Sequence, residues 1–269
     1  MKRLFIQAAL AAVVLLNPAA NPARAGRACD EQPQTTDAVA RGMGLALRTA
    51  QALDASDAQV LVLARAGQDL SAYGLRWSHL GFVYRDVASA DGAPGPWRVL
   101  HKLNACGSAD AALYRQGLGE FFLDRPQRYQ AVVMPLTPAL QAVLLPLLRD
   151  NQAAARLHEA RYNMLAYPWS QDYQQSNQWA IETLALAAEP GIANRAQAQA
   201  WLKLKGYQPT VLQLGAFTRL GARVTRANVA FDDHPNSERF ADRIATTTVD
   251  SVLAWLPRAG LAGAAVMVD

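Results

Sequence analysis

WSHLGFVYRD (77–86) and WRVLHKLNACG (97–107) decide the reading of the fold. Each holds a short apolar run rich in aromatic and β-branched residues, and DVASADGAPGP (86–96) between them is a stretch of turn formers. Runs of this length bounded by Gly, Pro and Asp predict two strands joined as a hairpin with an enlarged loop. AQVLVLAR (58–65) predicts a buried strand ahead of them. RYQAVVMPL (128–136) predicts another after them, at or near an edge because Pro135 has no N–H for a ladder.

Helical spacing surrounds these strands. Thr36 or Asp37 is placed to cap a helix running through Val39, Met43, Leu45, Leu47 and Leu53. A short helix is expected over 109–117, one from Pro138 to Leu148, and a second over about 151–160. RYNMLAYPWSQDYQQ (161–175) has no period and predicts an ordered loop. From Ser176, the segment NQWAIETLALAAE predicts a helix with Trp179, Ile181, Leu184 and Ala188 inward, stopped by Pro190 and Gly191. A further helix is expected over 195–204, weak strands within 209–231, and a closing helix over Val249–Leu256. Helices around a few, mostly antiparallel strands make an α+β domain.

The chain has 269 residues, 51% hydrophobic and 18% charged, enough to bury a sizeable core. That composition excludes a disordered, collagen-like or disulfide-dense class. Lys2 and Arg3, the apolar stretch 4–16 and Ala23-Arg24-Ala25 have the layout of a cleaved secretory signal over residues 1–25, leaving one domain over 26–269. Residues 4–16 would make about 20 Å of helix, short of the roughly 30 Å needed to span a membrane. No membrane span is expected in the mature chain, and a periplasmic or secreted location is. Without the three basic residues of that leader the balance is 23 basic to 22 acidic, so the charge does not argue for nucleic acid. An oxidising compartment favours pairing the only two cysteines, Cys29 and Cys106, as a disulfide.

Histidines are scarce. His79 and His101 fall on the two hairpin strands, where both rings can share one face and one imidazole can orient the other. A base held by a second polar group is half of a nucleophilic triad.

The two segments resemble the core of NlpC-type papain-like cell-wall peptidases, in which a strand beginning His-hydrophobic-Gly carries the catalytic base and the next strand a polar orienting residue. The likeness makes His79 the base, Gly81 the glycine and His101 the orienter, with Lys102 where a small residue is usual. The pattern, together with SNQW (176–179), also resembles a secreted bacterial family known only as a domain of unknown function. What the resemblance implies is a papain-like arrangement, and a nucleophile at a helix N-terminus. In the circularly permuted order, which this reading favours, Ser176 occupies the position expected of cysteine; in the unpermuted order Cys29 precedes the histidine. A plainer reading makes Ser176 the cap of its helix. Asn177 and Gln178 are polar neighbours able to donate to an oxyanion.

The expected function is amide or ester hydrolysis, or acyl transfer, on a cell-envelope peptide or lipid substrate, with His79, His101 and Ser176 as catalytic residues and no cofactor or metal. The alternative is a catalytically inactive binding or envelope-assembly module in the same cleft. A metal-dependent hydrolase built on Asp232, Asp233 and His234 ranks third, since neighbouring residues on a strand point apart.

Overall fold

A computed structural model describes residues 33–88 and 92–269. The leader over 1–25 and Cys29 lie outside the described residues, and so does the pairing of Cys29 with Cys106. The elements run α1 (Thr36–Asp54), β1 (Val60–Arg65), β2 (His79–Arg85), β3 (Trp97–Asn104), β4 (Ala111–Gly117), α2 (Leu118–Phe122), β5 (Ala131–Pro135), α3 (Pro138–Arg149) and α4 (Asn151–Ala155). They continue as α5 (Ser176–Ala188), α6 (Arg195–Leu204), β6 (Thr210–Gln213), α7 (Ala216–Thr225), α8 (Asn236–Phe240), β7 (Arg243–Thr246), α9 (Val249–Arg258) and β8 (Val266–Val268).

The fold is α+β, built on a six-stranded antiparallel sheet in the order β4-β3-β2-β1-β5-β8. Helices cover both faces. Val62, Phe82, Leu100 and Met134 pack on one side with α3, α5 and α9. Leu61, Leu63, Val83 and Val99 pack on the other with α1 and with Phe121 and Phe122 of α2. Burial on both faces is why β1 and β2 read as continuous apolar runs rather than as an alternation. A second, two-stranded sheet, β6–β7, has its own small core around Leu212, Phe231 and Ile244.

α1 starts at Thr35, whose hydroxyl accepts from the Ala38 N–H at 3.1 Å. Its buried stripe is Gly42, Leu45, Ala46, Thr49 and Leu53, while Met43 and Leu47 face outward. Gly42 belongs to that stripe because a Cβ there would come within 3.1 Å of the Phe122 carbonyl of α2.

Three local expectations are corrected. Residues 111–117 form strand β4, not a helix: pairing along β3, from Arg98 with Gly117 to Asn104 with Ala111, overrides the weak helical preference of an Ala-rich segment. The helix expected over 151–160 ends at Ala155, after Asp150 caps its first turn through the Gln152 and Ala153 N–H groups. Within 209–231 only β6 is a strand, followed by the helix α7.

Candidate active site

His79 opens β2 and His101 lies near the far end of β3. The register pairs Phe82 with Leu100, so His101 is a diagonal neighbour of His79 on one face of the sheet. Gly81 between them is what allows the approach: a Cβ on it would stand 2.9 Å from the His101 Cβ and 3.0 Å from the Leu100 carbonyl oxygen. The rings meet edge to face with centroids 5.0 Å apart, and His79 Nε2 is 2.7 Å from His101 Nδ1.

The direction of that bond follows from its neighbours. Gln116, at the end of β4, donates through Nε2 to the Glu120 carboxylate of α2 at 2.9 Å, which turns its Oε1 toward His101. His101 Nε2 lies 2.8 Å from that oxygen and must donate to it. The neutral ring then accepts at Nδ1, so His79 donates from Nε2 and carries its lone pair on Nδ1. Among the described residues nothing hydrogen-bonds to His79 Nδ1. Glu120, Gln116, His101 and His79 thus form one directed chain that ends in a basic nitrogen.

Electrostatics keep both rings neutral. Burial, then the neighbouring His101 and the Arg65 guanidinium, hold His79 well below the usual imidazole range. Burial and Arg65 push His101 down to about 3, against the opposing bond from Gln116. Arg65 stands opposite His79 in the register of β1 and β2. Its guanidinium lies 4.5 Å over the Phe121 ring, donates to the Phe121 carbonyl and pairs with Asp124. Phe121 in turn sits 5.2 Å from the His101 ring and 6.0 Å from the His79 ring. Ser78 braces the turn before His79 by accepting from the Gly67 and Gln68 N–H groups at 2.8 and 3.0 Å.

α1 lies on this same face. Pro33 accepts from Arg125 at 3.0 Å at its start, and Asp54 accepts from the Trp97 indole at 2.7 Å at its end. Its N-terminus is therefore at the end of the sheet where His79 begins.

Residues 52–256, well over half of the chain, match the family DUF2145, described as an uncharacterized protein conserved in bacteria. The chain belongs to DUF2145. No curated protein and no solved structure matches it. The part of the chain matched to DUF2145 contains both histidines, Gln116, Glu120 and Ser176.

The structure of this DUF2145 chain does not bring Ser176 to the histidines. Ser176 opens α5, which packs on the opposite face of the sheet through Trp179 against Phe82, centroids 5.8 Å apart. Its hydroxyl is 3.4 Å from the Tyr162 hydroxyl, and Gln175 holds the cap position with no capping side-chain bond, so Ser176 is not the helix cap either. Asn177 donates to the Thr247 carbonyl at 3.0 Å, and Gln178 to Pro168 and Glu182, away from His79.

Lys102 shows how the faces divide. It follows His101 along β3 and so points to the other side, where it is fully buried. Its ammonium donates to the Glu159 and Gln174 carbonyls at 2.5 and 2.8 Å and to Gln174 Oε1 at 2.8 Å. Burial lowers it to about 7. Gln174 passes the network to Glu182, a fully buried carboxylate that also accepts from Gln178, Gln199 and, through two nitrogens at 2.8 and 3.2 Å, Arg195. Arg195 then binds the Gln171 and Tyr173 carbonyls. This DUF2145 chain uses that network to order the aperiodic loop before α5.

Asp232, Asp233 and His234 are engaged separately. His234 has Asp233 Oδ1 at 2.9 Å on Nδ1 and the Ala245 carbonyl at 2.9 Å on Nε2, which leaves no ring nitrogen turned toward a metal. Asp233 accepts from the Tyr167 N–H, and Asp232 from the Tyr173 hydroxyl. The sequence alone does not place Gln116 and Glu120, which complete the histidine chain, because residues 109–117 favour a helix until β3 pairs with them.

Proposed function

We propose that the protein is an exported hydrolase or acyltransferase of amide or ester bonds in the cell envelope, with His79 as general base. The observation that carries this is the directed hydrogen-bond chain, which fixes the tautomer of His79 and leaves Nδ1 as its accepting end. Order and placement add support. A helix, a strand, then two histidine-bearing strands, with the helix N-terminus at the His79 end, is similar to the unpermuted NlpC-type scheme rather than the permuted one.

The helix start that would hold a nucleophile in that scheme is Thr35, and its hydroxyl is spent on the Ala38 N–H. Ser176 is on the wrong face. Cys29 lies outside the described residues, and in this proposal the attacking group comes with solvent or substrate. His79 Nδ1 takes the proton of a water molecule or acceptor hydroxyl as its oxygen bonds to the acyl carbon. The carbon–nitrogen or carbon–oxygen bond then breaks, and His79 returns the proton to the leaving atom. His101, held by Gln116, keeps the ring aimed throughout and is a positioning residue.

Hydrolysis of an ester panel and of envelope extracts by the full mature chain tests this. His79→Ala is expected to lose 10²–10⁴-fold in kcat, the usual contribution of a positioned base, while Ser176→Ala and Cys29→Ser retain activity. The acid limb of kcat/KM should fall well below pH 6.5, because the base is neutral there. Loss of activity in stably folded Ser176→Ala or Cys29→Ser, or none in His79→Ala, would overturn the assignment.

A further inference from the structure

A cavity of about 390 Å³ opens at the strand ends where His79 begins, and its wall includes Gln68, Asp69, Arg76, Gln127, Arg128 and Gln130. Residues 68–76 connect β1 to β2, and 127–130 lead into β5, whose Ala131 pairs with Arg65. Gln68 is tied to the active strand directly: its N–H donates to Ser78, the residue before His79.

The chemistry of this wall is one-sided. Two guanidiniums and three carboxamides line it against a single carboxylate. Asp69 is committed to its own turn, accepting from the Ser71 N–H at 3.0 Å and the Ser71 hydroxyl at 2.6 Å. Arg128 is near enough to help lower the Asp69 carboxyl but forms no ion pair with it. Arg76 has a neutral partner, Gln130 Oε1 at 3.0 Å, and its guanidinium lies 5.0 Å from the Trp77 ring centre. Arg65, Arg195 and Arg219, by contrast, each pair with a carboxylate. The wall itself is pinned, because the Arg76 and Trp77 N–H groups both donate to the Asp250 carboxylate at 3.1 Å.

We infer that this cavity binds an anionic oxygen group, carboxylate or phosphate, of a ligand that also carries amide-like polar atoms. Arginine forks recognise such oxyanions in bidentate fashion, and carboxamides offer both donors and acceptors beside them. This deepens the reading of the His79 site, on which it rests for its role: the cavity selects acyl substrates with a negative charge near the reacting bond.

The test is a calorimetric and NMR titration of the mature chain with three probes: N-acetylglutamate, glycerol phosphate and the uncharged N-acetylglutamine methylamide. Saturable binding of N-acetylglutamate is expected if the group is a carboxylate, and of glycerol phosphate if it is a phosphate. Binding should weaken as salt rises, fall about tenfold or more in Arg76→Gln and in Arg128→Gln, as loss of a charge-assisted fork implies, and persist in His79→Ala. The inference is overturned if neither anion binds, if the uncharged probe binds as well, or if both arginine variants bind like the wild type. Because the readout is binding, hydrolysis lost or never found would strike the His79 reading and leave the cavity assignment standing.

Discussion

Arg195→Ala should destabilise the fold by about 3–5 kcal/mol, the range for stripping the partner from a buried ion pair. Glu182 is fully buried and Arg195 nearly so, and the guanidinium meets both carboxylate oxygens. Without it the carboxylate keeps only the amide donors of Gln174, Gln178 and Gln199. The Gln171 and Tyr173 carbonyls lose their donor as well, so the loop over 161–175 should become sensitive to protease. Replacing both charges, as in Glu182→Met with Arg195→Met, should cost less than Arg195→Ala alone, since no uncompensated charge is left behind. Urea unfolding of the wild type and the two variants checks this. A loss under 1 kcal/mol for Arg195→Ala would mean that the network is not what holds the loop.

The second large effect is on acid stability. His79 and His101 resist protonation in the folded protein but take up protons near pH 6.5 once unfolded. Between pH 6.5 and about 3 the unfolded chain therefore binds more protons than the native one, and stability falls as the pH falls. His101, pushed from 6.5 down to about 3, contributes stability that is complete above pH 6.5 and lost as the pH falls toward 3. His79 acts in the same direction. Removing both rings, as in His79→Gln with His101→Gln, should flatten stability against pH across this window, measured by denaturant titration at each pH. An unchanged slope would show that the loss comes from carboxylates instead.

How much of this was legible in the sequence differs from residue to residue. The hairpin and its two histidines were readable because the signal is local: apolar runs, a turn-rich connection, and a glycine two residues after His79 whose missing Cβ lets His101 lean in. β4 was not, because Ala111, Ala112 and Leu113 favour a helix on their own and only pairing with β3 makes them a strand. With β4 misread, Gln116 and Glu120 had no reason to be placed beside His101. Ser176 lies away from the histidines for a different reason. The start of α5 was found correctly, but which face of a sheet a helix covers is decided by distant packing. The start of α7 was also hidden by a weak alternation, although Phe217, Leu220 and Val224 already had helical spacing.

The most direct test of the central claim is long-range nitrogen–proton NMR of the His79 and His101 side chains in the folded protein at pH 6.5. Both rings should be neutral with the proton on Nε2, and neither should titrate near 6.5. A proton on Nδ1 of either ring, or a midpoint near 6.5, would contradict the directed chain and the base at its end.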